Sequence, residues 1–326
     1  MEIVMLRRGI GTLLVTALLL SGTLQAQTPP DPQTFGTSIS VGYVLVSFAA
    51  LDQKGRPIQD LQKKEVHLRS EGKTIATDLF DRLDNAPISF TILLDTSGSM
   101  GLAGKMGGAR AAIAELLAKG RPGDDFALYL FARGLVAERV PFTEEKQLIL
   151  KAVNQVQPFG KTAFFDALAE MPDKSLLGHN GSRAIILLTD GLDNASTVTR
   201  TELAKLLEGV NVPVYPLGLR LQARPKNASP TASETMSDVE ILDFVARVSG
   251  GRLVMATEPQ KLRESIDLIE KDLRTQYSIG FTPTGKGEVR YRPFTVAVPR
   301  RVKIIRVRSG YKGTEPPLEG SKRRGR

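Results

Sequence analysis

One carboxylate and two hydroxyl groups lie two residues apart in the segment that begins at Asp95. Asp95, Ser97 and Ser99 directly follow an apolar run at residues 88–94 and surround a glycine. Carboxylate and hydroxyl oxygens are hard ligands of the kind that Mg²⁺ prefers. The same residue types at a strand-to-helix turn also cap the following helix. The pattern therefore predicts either a divalent-cation site or a purely local capping loop.

Two later segments place further side-chain oxygens next to the ends of predicted strands and helices. Thr162 begins a predicted helix after a turn that contains proline and glycine. A second apolar run, residues 183–189, is followed directly by Asp190. Ligands of open α/β sheets bind beyond the carboxyl ends of the strands. Asp95 and Asp190 are therefore predicted at the same edge of one sheet.

These positions together resemble the metal-ion-dependent adhesion site of a von Willebrand factor A domain, and residues 87–272 resemble that domain. The motif positions, in the family's order and at similar spacing, are Asp95, Ser97, Ser99, Thr162 and Asp190. The resemblance implies an α/β fold that binds Mg²⁺, with Mn²⁺ or Ca²⁺ as alternatives. It also implies that the serines and the threonine bind the cation directly, and that the aspartates bind it mostly through water.

The expected function follows from the charge balance of such a site. A first shell of neutral hydroxyl groups leaves the charge of Mg²⁺ poorly compensated, and an octahedral ion keeps an open position. An Asp or Glu side chain of a partner protein would complete that position. The resemblance therefore implies a protein partner that offers a carboxylate, bound only when the cation is present.

Two residues are predicted at the rim of this site. Lys161 stands beside Thr162, where many bacterial members of the family carry glycine. Its ammonium group is expected either to weaken cation binding or to hold an incoming carboxylate. Asp193 follows Asp190 closely in the next loop and is the second predicted rim residue.

The elements that would position these residues alternate between strands and helices. Strands are predicted at residues 88–94, 125–133, 135–142, 183–189, 212–219 and 252–256. Helices are predicted at residues 105–119, 143–156, 162–177, 200–209, 237–248 and 259–273. Helix-length crossovers between strands predict a doubly wound, mostly parallel sheet of the Rossmann-like kind, with helices on both faces.

Alternating β patterns flank this domain at residues 37–84 and again at residues 275–312. Each segment is small for an independent hydrophobic core. We therefore predict that they pack together as one smaller β-sandwich, with the α/β domain inserted between them. This layout also resembles bacterial exported proteins that are related to the von Willebrand factor A family. Residues 313–326 are predicted as a disordered basic tail.

The first 26 residues have the layout of a secretory signal peptide. Arg7 and Arg8 precede an apolar run at about residues 10–20, with a plausible cleavage site after Ala26 and a linker at 27–36. The run is short for a membrane span. An exported protein, periplasmic or extracellular, is expected; an uncleaved membrane anchor and a buried N-terminal helix are the alternatives.

Composition excludes several classes of function. The 326-residue chain has no cysteine, which excludes thiolate zinc sites, disulfides, thiol catalysis and an acylated lipoprotein anchor. Residues 286–326 carry 13 Lys and Arg against 3 Asp and Glu, so the net charge of +9 belongs to the C-terminal end. That end is either a solvated basic face or a site for an anionic envelope surface. Export and sparse aromatic residues argue against nucleic acid.

Catalytic machinery is not visible in the sequence. His67 and His179 lie outside any motif, and there is no Gly-x-Ser-x-Gly elbow. The segment before Thr162 resembles a phosphate-binding loop but has Gln155 where that loop needs glycine. A haloacid-type phosphatase would need an aspartate at Ser97. We therefore expect a non-enzymatic cation-dependent binding module; the alternatives are a scaffold of the cell envelope and a metal-dependent phosphohydrolase.

Overall fold

A computed structural model describes residues 42–84, 86–191, 193, 195–208, 212–219, 238–256 and 259–320. The predicted signal peptide at 1–26, the linker at 27–36 and the first residues of the N-terminal β unit lie outside these ranges. Within them, no helix has the length and apolar character that a membrane crossing requires.

A six-stranded sheet forms the centre of the α/β domain, in the order β10-β9-β8-β5-β6-β7. The strands are β5 (Ile88–Asp95), β6 (Asp125–Ala132), β7 (Leu135–Thr143), β8 (Ser182–Thr189), β9 (Val214–Leu219) and β10 (Val254–Ala256). Strand β7 runs antiparallel to β6 at one edge, and the other neighbours are parallel. The predicted doubly wound, mostly parallel sheet is therefore confirmed.

Helices cover both faces of this sheet. They are α1 (Lys105–Lys119), α2 (Lys146–Asn154), α3 (Phe164–Ser175), α4 (Arg200–Glu208), α5 (Asp238–Ser249) and α6 (Pro259–Arg274). One core joins the sheet to α1, α2 and α6, and a second core joins it to α3, α4 and α5. Every residue of β5 is buried, as expected for a central strand covered on both sides.

Two predicted helix starts differ from the structure. The helix expected from residue 143 begins at Lys146, because the Thr143 hydroxyl accepts a hydrogen bond from the Glu145 amide and holds a turn there. The helix expected from Thr162 begins at Phe164. Thr162 therefore lies in the preceding loop, where its side chain does not have to follow a helical face.

The flanking strands form a second body, which we call the β module. Its strands are β1 (Val44–Leu51), β2 (His67–Ser70), β3 (Lys73–Thr74), β4 (Leu79–Arg82), β11 (Gln276–Phe281), β12 (Arg290–Pro293), β13 (Thr295–Ala297), β14 (Ile304–Val307) and β15 (Gly310–Gly313). They build sheets ordered β14-β1-β11-β4, β13-β2-β3 and β12-β15. Strands from before and after the α/β domain thus pair directly and share one apolar core.

The four-stranded sheet of the β module has two different faces. Val46, Phe48 and Ile279 point into the core of the module. Ser47 and Gln276 lie on the opposite face, where they line a cavity together with Pro213 and Leu273 of the α/β domain. This second face is where the two bodies meet.

A buried ion pair fixes the point where α6 passes into β11. The guanidinium of Arg274 donates to both carboxylate oxygens of Asp124, and its Nη1 also donates to the Ala86 carbonyl at 2.7 Å. Asp124 in turn accepts from the Ile88 amide at 2.8 Å, at the start of β5. The pair therefore joins the end of α6 to the entry of the central strand.

The prediction of a disordered tail at residues 313–326 is wrong for residues 313–320. Leu318 forms a β-bridge with Ile75, and the Ala76 amide donates to the Pro317 carbonyl at 2.7 Å. The Glu319 amide donates to the Thr74 carbonyl at 3.0 Å. Backbone hydrogen bonds thus hold residues 313–320 on the β module. Residues 321–326 lie outside the described part.

Candidate metal centre

Asp95 is the last residue of β5, and its side chain is fully buried at the carboxyl end of the sheet. The Ser97 amide donates to Oδ1 of Asp95 at 2.8 Å, and the Thr189 hydroxyl donates to Oδ2 at 2.7 Å. The chain leaves the sheet immediately afterwards, with the Thr96 amide bonded to the Phe131 carbonyl at 2.9 Å. The carboxylate is therefore held in one orientation by one donor from the turn after β5 and one donor from β8.

The two serines lie side by side at the next turn. Ser97 is buried and precedes a short 3₁₀ helix, Gly98–Gly101, which contains the partly buried Ser99. Their Oγ atoms are 3.0 Å apart. Two hydroxyl oxygens at this separation can face a single small cation, as the sequence predicts.

Backbone hydrogen bonds bring the loop before α3 to the same place. The Phe159 amide donates to the Thr96 carbonyl at 2.7 Å, and the Gly98 amide donates to the Gly160 carbonyl at 2.9 Å. The buried Thr162 follows two residues later. The loop that carries the threonine is thus joined to the loop that carries the serines.

Asp190 follows β8 and is paired with a lysine that the sequence analysis did not identify. The Nζ atom of Lys105 donates to Oδ2 of Asp190 at 2.7 Å, with side chains only 17% and 2% exposed. Lys105 is the first residue of α1, where the helix dipole disfavours a cation, and the aspartate offsets this. The sequence carries no local signal for this pairing, because 85 positions separate the two residues.

The two predicted rim residues take different positions. Lys161 is exposed, and its carbonyl accepts a hydrogen bond from the Arg133 amide at 2.8 Å. Asp193 accepts from the Phe165 amide at 3.1 Å and from the Ser196 hydroxyl at 2.7 Å. Its carboxylate therefore holds the following loop against the first turn of α3.

The electrostatics of the centre favour a cation. Burial raises the pKa of Asp95 to about 6, and the negative charge of Asp190 contributes to this rise. The hydrogen bonds from Ser97 and Thr189 lower the pKa and offset only a part of it. A cation between two buried carboxylates would relieve both the burial cost and the repulsion.

The donor set fits a hard divalent ion. Within the described ranges, no three His, Cys, Asp or Glu side chains group as metal ligands. A cation here would therefore depend on hydroxyl oxygens as well as on the two aspartates. Oxygen-only donors of this kind suit Mg²⁺ or Mn²⁺ rather than a soft metal.

A model of the von Willebrand factor type A domain family matches residues 90–192. This range contains all five residues of the candidate centre. No curated protein matches the chain.

Several solved structures are similar to this one. An aerotolerance-related membrane protein of Bacteroides fragilis is 20% identical, with 57% of this chain and 98% of that one covered and a TM-score of 0.46. A von Willebrand factor type A protein of Catenulispora acidiphila is 15% identical, with 77% and 68% covered and a TM-score of 0.46. The von Willebrand domain of a type V pilus tip protein of Porphyromonas gingivalis is 13% identical, with 56% and 93% covered and a TM-score of 0.42.

The family match agrees with the geometry of the chain itself. The matched range begins inside β5 and ends just after Asp190, so it spans the segments that converge on the candidate centre. Residues 90–192 therefore match the von Willebrand factor type A domain family, as the resemblance of the five motif positions predicted.

Proposed function

We propose that this chain is an exported, non-enzymatic, protein-binding module that holds a partner's Asp or Glu carboxylate through a divalent cation. Von Willebrand factor type A domains generally bind protein partners, and residues 90–192 carry such a domain. The observation that supports the finer proposal is the convergence of Ser97, Ser99 and two buried aspartates at one edge of the sheet.

Each residue has a definite part in this proposal. Ser97, Ser99 and Thr162 would hold the cation through neutral hydroxyl oxygens, while Asp95 and Asp190 would balance its charge, mostly through water. When bound, a divalent cation supplies positive charge and an open coordination position for an oxygen of the partner. The backbone hydrogen bonds between the loop of the two serines and the loop of Thr162 keep the hydroxyl groups in place before the cation arrives.

The basic C-terminal end gives less support to the alternative of binding an anionic envelope surface. The guanidinium of Arg301 pairs with Glu65 at 2.6 Å, and that of Arg290 with Glu71 at 3.3 Å. Arg306 pairs with Asp272. Three of the nine Lys and Arg side chains at residues 286–320 are therefore engaged in ion pairs within the β module or against the α/β domain.

Calorimetric titration of Mg²⁺ and Mn²⁺ into the purified chain tests the proposal. Saturable binding at one site is expected, lost in Asp95→Ala and kept in Asp173→Ala, which changes an exposed aspartate of α3. Metal concentrations up to the millimolar range are needed, because the site is completed only by its protein ligand. Absence of saturable binding, or equal binding in both variants, would overturn the metal centre. Metal-dependent release of phosphate from a phosphomonoester would overturn the non-enzymatic part.

A further inference from the structure

Three arginine side chains lie where the β module meets the α/β domain. All three follow the residues of the metal centre in the sequence. Arg252 precedes β10, Arg306 lies in β14 and Arg308 follows that strand. We call them the junction arginines. Among the described residues, Asp272 of α6 is the one carboxylate that forms an ion pair with any of them.

Two of the junction arginines share a single carboxylate oxygen. The Nη1 atom of Arg306 donates to Oδ2 of Asp272, and Nη1 of Arg252 lies 3.6 Å from the same atom. Asp272 is only 5% exposed, and both arginines are partly buried. Burial lowers the pKa of Arg252, and the nearby charge of Arg306 lowers it further. This group therefore carries an excess of one positive charge.

Arg308 adds a second uncompensated charge. It is 6% exposed, and its Nη2 donates to the Leu45 carbonyl at 2.8 Å. Its Nε is buried without a hydrogen-bond partner in the described part of the chain. Burial lowers the pKa of Arg308 to about 10. A guanidinium kept from water without a carboxylate is costly, so the junction as a whole lacks about two negative charges.

A cleft beside these side chains has room for a ligand. Its volume is about 410 Å³. Residues of α5, the segment from Gly250 to Leu253 and all four residues of β14 line it, and Arg252 and Arg306 are among them. Gly250 also lines a cavity of about 10 Å³ next to Arg308, Ser47 and Ser249, which is space for about one water molecule. Arg247, at the cleft, is already paired with Asp243 at 2.8 Å.

We propose that this cleft binds a small tetrahedral oxyanion, inorganic phosphate or sulfate, between Arg252 and Arg306. The planar fork of a guanidinium matches the oxygens of such an anion, and a doubly negative ion balances the excess charge of the junction. Arg252 belongs to the α/β domain and Arg306 to the β module. The bound anion therefore joins the two bodies and stabilises the whole fold against heat.

Thermal unfolding of the purified chain tests this site. The buffer contains EDTA, which makes the test independent of the metal centre, and phosphate or sulfate replaces chloride at constant ionic strength. The melting temperature is expected to rise saturably by several degrees. Both anions stabilise proteins unspecifically at high concentration, so the rise must saturate and must depend on Arg252. Arg56→Gln, in an exposed turn of the β module, is the matched control and keeps the rise.

Two variants move the affinity in opposite directions. Arg252→Gln removes the more exposed junction arginine, leaves Asp272 paired with Arg306, and is expected to weaken phosphate binding at least tenfold. Asp272→Asn frees both guanidinium groups and is expected to strengthen it. A rise that does not saturate in the unmodified chain, or that is unchanged in Arg252→Gln, would refute the site even if Asp272→Asn does not fold. Calorimetric titration of phosphate supplies the second readout.

Discussion

The Nζ atom of Lys105 donates a hydrogen bond to Oδ2 of Asp190 over 2.7 Å, although 85 residues separate the two in the chain. Asp190 is one of the five positions that the family resemblance assigns to the cation. An internal ammonium group thus neutralises a carboxylate that a divalent cation would also use. The proposed metal and Lys105 are therefore expected to compete.

Replacing Lys105 by glutamine is expected to raise the affinity for Mg²⁺ about tenfold. A hydrogen bond between charged groups contributes about 1.5–3 kcal/mol, of which the metal must replace a part. Calorimetric titration measures the change, with Lys151→Gln on the exposed face of α2 as control. An unchanged or lower affinity in Lys105→Gln, with the fold retained by circular dichroism, would show that the lysine supports the centre instead.

Asp95 is expected to make the metal-free protein less stable as the pH rises. Its pKa is about 6 in the folded state against 3.8 as the ordinary value, so the folded state binds the proton more tightly. The stability from this group is fully present below pH 3.8 and is lost as the pH rises through about 6. At about 1.4 kcal/mol for each pH unit, the loss is about 3 kcal/mol.

Asp95→Asn removes this titration while it abolishes metal binding. In EDTA, urea unfolding should show the variant more stable than the unmodified chain at pH 7.5 and about equally stable at pH 4. The Thr189 hydroxyl can turn to accept from the new amide, so the buried contacts are kept. A variant that is less stable than the unmodified chain at pH 7.5 would contradict the prediction.

The buried pair of Arg274 and Asp124 predicts a large effect from a single substitution. Arg274→Met leaves the Asp124 carboxylate buried without its guanidinium and should lower the free energy of unfolding by about 3–5 kcal/mol. Arg263→Met, on the exposed side of the same helix, should have little effect. Denaturant unfolding measures both. If Arg274→Met resembles the control, the ion pair does not fix the end of α6.

Gly160, in the loop before α3, is expected to be important for the metal centre. Gly160 has φ +87°, and a Cβ there would lie 2.7 Å from Cγ of Arg133. Gly160→Ala should cost about 1–2 kcal/mol of stability and weaken Mg²⁺ binding, because Thr162 follows in the same loop. The control is Gly181→Ala, where nothing lies within 4 Å of the added carbon. Equal metal affinity in both variants would show that the threonine is held independently of this turn.

Much of the α/β domain was predictable because its strands are buried on both faces and therefore read as continuous apolar runs. The residues 88–94 and 183–189 became β5 and β8 with small changes of bounds. The common location of Asp95 and Asp190 was also predictable, because the carboxyl ends of parallel strands meet at one edge of a sheet. Helix α3 was predicted two residues too early, because backbone bonds to the loop of Thr96 hold Thr162 outside the helix.

Long-range polar contacts were not predictable. The pairing of Lys105 with Asp190 joins the start of a helix to the end of a distant strand, and no local periodicity marks it. Strands β12 and β15 were also missed, because they are short and rich in basic residues and glycine. Their pairing depends on backbone hydrogen bonds between partners that are brought together only by the folded β module.

The order of the strands in the β module has a consequence for the synthesis of the chain. Strand β1 lies between β11 and β14, and both of these follow the whole α/β domain in the chain. A chain that emerges from its N-terminus therefore exposes the apolar residues of β1 until more than two hundred residues have followed. The α/β domain can fold during that interval, but β1 cannot, and a chain truncated before β11 would leave an unpaired, aggregation-prone strand. Strand β1 therefore has to be kept from pairing with other chains until translation has reached β11 and β14.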